Sequence, residues 1–188
     1  MSVAHKWLEQ DPWPTKQMSR DMLESRIERV LTLTNIGYLG TVSKSGSAIV
    51  SPLEVYAEGL SVYFLPQPGS PKLKAMQRDP RVSLAIANPM AGWACVMGAQ
   101  FFGNATLLEV DTPEWKHGMK VFKWVGSSFE LGRDLSGPPR TMIARLDPDR
   151  IVYTEHLLRK QGYAPRQIWR KDSDDVQVVQ GTAKFKPV

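Results

Sequence analysis

The sequence predicts a mainly β, α+β fold: a small antiparallel barrel of six or seven short strands with flanking helices. Three observations carry that expectation. Short apolar runs recur from Ile36 onward and are separated by Gly-, Pro- or Asp-containing turns, the patterning of hairpins. One amphipathic segment precedes the strands, and two helix starts fall between them. A long apolar stretch from Trp93 to Val110 is broken by Gly98 and Gly103, which suits a strand bent at its glycines better than a helix.

Taken in order, residues 1–17 contain Trp7, Pro12, Trp13 and Pro14 without a period and read as an extended arm. Its tryptophans are expected to pack on the body or on a partner subunit. Ser19 is a helix N-cap candidate with Asp21 in the first turn. Leu23, Ile27, Val30, Leu31 and Thr34 follow at helical spacing, giving a helix over 20–34. Strands are expected at 36–43 and 47–56 around a Lys44-Ser45-Gly46 turn, and at 60–65 after Glu58-Gly59. Pro52 inside a strand implies an edge, a bulge, or backbone left open for a ligand.

A short helix then runs from Ser70 to Asp79-Pro80, and a strand covers 82–87. Thr112-Pro113-Glu114 opens a helix that runs to about Val125, where Gly126 stops it. Residues 127–139 read as a polar loop. Strands return at 141–146 and 150–154, joined by a turn at Asp147-Pro148-Asp149-Arg150, and 165–170 adds a further strand. The tail, 172–188, is polar. The whole chain, 1–188, is read as one domain.

Composition narrows the function classes. Hydrophobic residues are 42% and charged residues 23%, the values of a globular protein. No apolar run has the ~20 residues of a membrane span, and the N-terminus lacks a signal-peptide core. A cytoplasmic protein with no membrane partner is expected. The net charge of +5 is spread along the chain without a basic block, so no nucleic-acid partner is expected, while small anionic ligands suit it. The single cysteine, Cys95, lies in an apolar stretch and is expected to be buried and inert.

The usual catalytic sets are missing. His5, His117 and His156 are isolated, so no metal site is expected. The sequence has no G-x-S-x-G, no P-loop and no strand-linked G-x-G-x-x-G. Glu54 sits mid-strand, where a solvated strand face is its expected role. A borrowed cofactor is then the natural source of reactivity. The segment Leu60–Ala85 shows where one would bind. An apolar strand runs through a Pro/Gly turn into a helix start that carries Ser70 and Lys72. A hydroxyl, a lysine and backbone N–H groups meeting at a helix N-terminus form a phosphate site. Lys72 opposes the positive end of the helix dipole, a conflict that a bound anion removes.

Over roughly residues 20–155 these motifs resemble the pyridoxamine 5′-phosphate oxidase-like family, the FMN-binding split barrels. The likeness rests on Gly40-Thr41, on Ile49-Val50-Ser51-Pro52-Leu53 and on Tyr63-Phe64. Above all it rests on Gly69-Ser70-Pro71-Lys72 followed by Arg78-Asp79-Pro80-Arg81-Val82. The resemblance implies a phosphate of FMN on Lys72 and Ser70, and a flavin lying along Val50, Ser51, Pro52 and Leu53. It implies a contact from Gln100, and a homodimer whose interface holds the sites, with Trp124 or the arm tryptophans closing the pocket. The implied function is an FMN-dependent oxidoreductase with an unidentified donor and acceptor. The alternatives are the same fold with a deazaflavin coenzyme or haem, a flavin-binding carrier or sensor without turnover, and a dimeric structural protein. The chain departs from the family where Leu65 and Pro66 replace a frequent Thr or Ser and where Pro71 replaces a frequent basic residue. The C-terminal R-Q-I-W-R-K at 166–171 does not match the signature of true vitamin B6 oxidases, which argues against pyridoxamine phosphate as substrate.

Overall fold

Hairpin patterning becomes a closed sheet. A computed structural model describes residues 12–88 and 92–179, so His5, Trp7, part of the 89–93 loop and the end of the tail lie outside the described residues. Eight strands pair antiparallel: β1 (Ile36–Val42), β2 (Ala48–Glu58), β3 (Ser61–Phe64), β4 (Arg81–Ala87), β5 (Met97–Leu108), β6 (Ile143–Glu155), β7 (Arg166–Arg170) and β8 (Ser173–Val178). Their order is β3-β2-β1-β4-β5-β6-β7-β8, and β3 also pairs with β6. Strands β1 to β6 therefore close into a six-stranded barrel, with β7 and β8 extending the sheet beyond the seam. Closure pairs β3 with β6 and leaves β8, which pairs with β7 alone, as an edge of the sheet.

The barrel interior follows from the pleat. Leu39, Val55, Val62, Phe64, Leu84, Phe101 and Ile151 alternate with outward residues and are buried together. Helix α1 (Arg20–Leu33) adds Leu23, Ile27 and Val30 to the same core. Its Ser19 cap accepts from the Met22 amide. Arg26 reaches Glu155 at 2.6 Å, and the Tyr153 hydroxyl donates to the same carboxylate at 2.6 Å, which ties α1 to β6. Burial and the Glu155 carboxylate hold the Tyr153 phenol well above its usual range. Helix α3 (Pro113–Val121) packs outside the seam, where Trp115, Met119 and Phe122 meet Tyr63 and Ile143. No helix among the described residues is long and apolar enough to cross a membrane.

Three expectations are corrected. Residues 141–146 and 150–154 are not two strands around a turn; β6 is continuous from Ile143 to Glu155. The Asp147-Pro148-Asp149 stretch is a bulge: Phe102 faces Arg150 while Gly103 faces Pro148, leaving Asp149 unmatched. The helix at 113–125 ends at Val121, because Lys123 takes a left-handed backbone (φ 54°), and a separate α4 (Trp124–Glu130) occupies the first part of the expected polar loop. In the polar tail, β8 pairs with β7. Cys95 is exposed on a short 3-10 turn (Trp93–Cys95) rather than buried.

The arm tryptophan within the described residues, Trp13, packs on the body. It meets His156 edge to face at 5.9 Å, with the Arg159 guanidinium 5.2 Å from its ring centroid. His156 is buried, and burial, with Arg159 and Arg166 adding to it, lowers its pKa below the ordinary 6.5. The folded imidazole therefore resists a proton that the unfolded chain accepts. The stability this represents is complete above pH 6.5 and is lost as pH falls through the folded-state pKa. Urea midpoints at about pH 7.5 and pH 5.5 should differ by more in wild type than in His156→Gln, with a slope ceiling of roughly 1.4 kcal/mol per pH unit. Equal differences in the two proteins would assign the acid sensitivity to other groups.

Candidate functional site

Helix α2 (Pro71–Arg78) begins where β3 leaves the barrel. Ser70 is its N-cap: its hydroxyl accepts from the Leu73 amide at 3.4 Å, and its carbonyl accepts from the Lys74 amide at 3.1 Å. Pro71 has no N–H. The one amide of the first turn left for a ligand is that of Lys72. The lysine side chain is half-buried and makes no hydrogen bond or ion pair among the described residues. Ser70 thus serves the helix itself, and the Lys72 ammonium makes no polar contact among the described residues.

Lys72 lines a cleft of about 550 Å³, within the roughly 300–1,000 Å³ of small-molecule sites. One side is β2 at Pro52, Leu53 and Glu54; another is the turn Leu65-Pro66-Gln67-Pro68. The far side comes from Phe122, Ser127 of α4, and the segment after α4, including Leu131, Arg133 and Arg140. Glu54 holds that far side in place. Its carboxylate accepts from the Ser127 hydroxyl at 2.6 Å and from the Tyr56 hydroxyl at 2.9 Å, with the Asn35 amide at 3.4 Å. The expected solvated role of Glu54 is therefore corrected: it is half-buried and anchors α4 to the barrel.

The other site candidates are spread over the sheet. In β2, Val50 and Pro52 face outward, while Ser51 and Leu53 face the other way, opposite Leu39 and Gly37. Pro52 and Leu53 line the cleft; Val50 and Ser51 do not. Gln100 is exposed on the outer face of β5, in one cross-strand row with Ala85, Tyr38 and Pro52. Trp124 opens α4 and packs against the cluster around Tyr63 and Phe122. Residues that the sequence reading did not select include Ser127, Arg133 and Arg140. A signal for Arg133 was present: Leu131-Gly132-Arg133 reads as a helix stop, and Gly132 takes φ 62°.

Comparison with known proteins fits this geometry. The family model described as pyridoxamine 5′-phosphate oxidase matches residues 23–155. The chain belongs to the pyridoxamine 5′-phosphate oxidase family. A comparison with curated proteins finds no match. Among solved structures, a Listeria innocua protein with a provisional pyridoxamine 5′-phosphate oxidase assignment is 20% identical, with a TM-score of 0.57 over 70% of this chain and 97% of its own. Campylobacter jejuni ChuZ is 13% identical, with a TM-score of 0.68 over 90% of this chain and 68% of its own. HutZ, the haem storage protein of Vibrio cholerae, is 19% identical, with a TM-score of 0.55 over 67% of this chain and 89% of its own. At these identities the likeness is one of fold. The family match covers the barrel, α2 and the cleft wall formed by α4; β7 and β8 lie beyond it.

Proposed function

We propose that the protein is an FMN-dependent oxidoreductase acting as a homodimer. The observation that carries this reading is Lys72, a half-buried cation at the start of α2 with no polar partner among the described residues, in a cleft of cofactor size. A phosphate there meets the ammonium, the Lys72 amide and the positive end of the helix dipole. Pro52, Leu53, Leu65 and Pro66 offer an apolar wall to a flat ring, and Pro52 leaves no N–H unpaired against it. Phe122 and Leu131 line the opposite side. Bound FMN would supply the hydride or electron transfer; the chain supplies binding and orientation. Glu54 is not free to act as a base, since both its oxygens are engaged.

The dimer rests on the outer faces of β1 and β2. Ile36, Tyr38, Val42 and Val50 are 44%, 52%, 47% and 69% exposed on one continuous stretch of sheet. A contiguous apolar face of this kind suits burial against a second copy. Gln100 shares that face, so in such a dimer it meets the partner rather than its own cleft.

A haem reading is favoured by the likeness to a haem-binding protein of Mycobacterium smegmatis and to the haem storage protein. The absorbance spectrum of the purified protein, with mass analysis of any chromophore released by heat, separates the readings. Flavin bands and the FMN mass are expected. A Soret band would replace FMN by haem, and another flavin mass would indicate a deazaflavin coenzyme. A colourless protein that takes up no added FMN would overturn the proposal. If FMN binds but reduced nicotinamides and dyes as acceptors give no turnover, the carrier or sensor reading stands instead.

A further inference from the structure

The N-terminal arm is fastened at two points of different chemistry. The first lies at Lys16–Met18 and uses neutral groups. The Ala164 amide donates to the Lys16 carbonyl at 3.0 Å, and the Gln167 side-chain amide donates to the same carbonyl at 3.2 Å. The Met18 amide donates to the Gln167 side-chain oxygen at 3.2 Å, and both Met18 and Gln167 are buried. None of these groups titrates near neutral pH. The second point is Trp13, which lies against His156 and Arg159 of the 3-10 helix His156–Gln161 that follows β6. Between the two points, Pro12 and Pro14 fix their own φ angles, and the exposed Thr15 is the position that can turn.

The surroundings of His156 are cationic. Its own helix carries Arg159 and Lys160, β7 carries Arg166, and Arg26 of α1 reaches Gln161 at 3.5 Å. The arm brings Lys16, whose ammonium lies over Tyr163, and the turn Trp93–Cys95, which packs on the helix, brings the Cys95 thiol. The adjacent carboxylate, Glu155, is taken by Arg26 and the Tyr153 hydroxyl. Burial, then Arg159 and Arg166, lower the pKa of the imidazole. A protonated ring is attracted to an indole, but the Arg159 guanidinium already holds that place at Trp13. His156 is 3% exposed, so its charge is hydrated only when one of its covers moves. Its helix is buried at Leu158 and Arg159, and β7 is paired on both sides. Trp13 is half-buried and near the end of the described chain, the cover that moves at least cost.

We propose that the Trp13 arm is an acid-released latch: protonation of His156 undocks Trp13 by a turn at Thr15, while the Lys16–Met18 anchor and the barrel stay in place. The direction follows from linkage. The docked form binds the proton more weakly than the open form, so docking is complete above pH 6.5 and is lost as pH falls below it. The inference is independent of what the cleft binds.

The test uses the full chain labelled with fluorotryptophan and followed by fluorine NMR from about pH 8 to pH 5. Trp13→Phe assigns the Trp13 resonance, and its shift between light and heavy water reports exposure of the ring. Trp13 is expected to become fully exposed with a midpoint below pH 6.5, while the buried Trp115 and Trp169 stay unchanged. The His156 imidazole resonance, assigned by its loss in His156→Gln, should titrate at the same midpoint. In His156→Gln the transition should disappear. A Trp13 that stays covered until Trp115 and Trp169 also change overturns the proposal, because the arm then opens only with the fold. The same transition in His156→Gln overturns it as well. If His156→Gln leaves Trp13 exposed at every pH, the wild-type midpoints decide: coincidence with the His156 titration supports the latch, and separate midpoints overturn it.

Discussion

Lys72→Ala is expected to weaken FMN binding by roughly ten-fold or more while leaving the protein as stable as before or slightly more so. The two halves of that expectation come from the same geometry. The ammonium makes no hydrogen bond or ion pair among the described residues, so its removal breaks no polar contact of the fold. It also sits in the first turn of α2, where a cation opposes the helix dipole; deleting it relieves about 0.3–1 kcal/mol of unfavourable interaction at most. All the function of the side chain then lies in what it binds. Isothermal titration of apo-protein with FMN, beside thermal melts of both proteins, separates the effects. Unchanged affinity would remove the centre of the flavin reading. A large fall in Tm without ligand would show that Lys72 holds the fold, contrary to its surroundings.

Ser70 cannot serve as the same kind of probe. Its hydroxyl caps α2 at Leu73, so Ser70→Ala should lower stability by about 1 kcal/mol whatever binds nearby. Any loss of FMN affinity in that variant would mix a lost contact with a frayed helix. The sequence places Ser70 and Lys72 together correctly at a helix start. Which of them is spent on the helix depends on a single side-chain rotamer, and that is decided by the cap geometry.

The same division runs through the rest of the molecule. The strand–turn–helix at 60–85 is legible because each of its signals is local: an apolar run, a Pro/Gly turn, a cap, and a terminating Asp79-Pro80. The far wall of the cleft is not, because it depends on a contact between residues far apart in the chain. Glu54 looks like a solvated strand residue until Ser127 is brought to it by α4. Helix α4 in turn exists only because Lys123 accepts a left-handed backbone, which no glycine or asparagine announces. The helix stop at Leu131-Gly132-Arg133 is legible, but not the place of Arg133 in the cleft, because one wall comes from β2 and the other from a segment that reads as a polar loop. The candidates along β2 show a different limit. A run such as Val50 to Leu53 can match a motif in sequence, yet only its end at Pro52 and Leu53 reaches the cleft, and which part of a strand does so is decided by the elements packed beside it.

Gly103→Ala should destabilise the protein by roughly 3 kcal/mol, near the upper end of overpacking costs. An alanine Cβ at this position would lie 2.3 Å from the Asp147 carbonyl oxygen and 2.9 Å from the Pro148 Cα. Both obstacles are backbone, so no rotamer change relieves them; β5 and β6 must part at the bulge, within the longest strand pair of the barrel. Gly103 and Asp147-Pro148-Asp149 are separately readable as a glycine bend and a turn, and only their pairing shows that they form one device. The proline lacks an N–H to offer β5, the unmatched Asp149 takes up the shift in register, and the missing Cβ lets the two backbones approach. Gly126→Ala is the matched control, because a Cβ there meets nothing within 4 Å and the residue lies inside α4. It should be neutral or stabilising by up to about 1 kcal/mol. Urea denaturation of the two variants beside wild type checks both. A loss of under about 1 kcal/mol in Gly103→Ala would mean that the strands re-register without the bulge, and that the barrel closes on pairing alone.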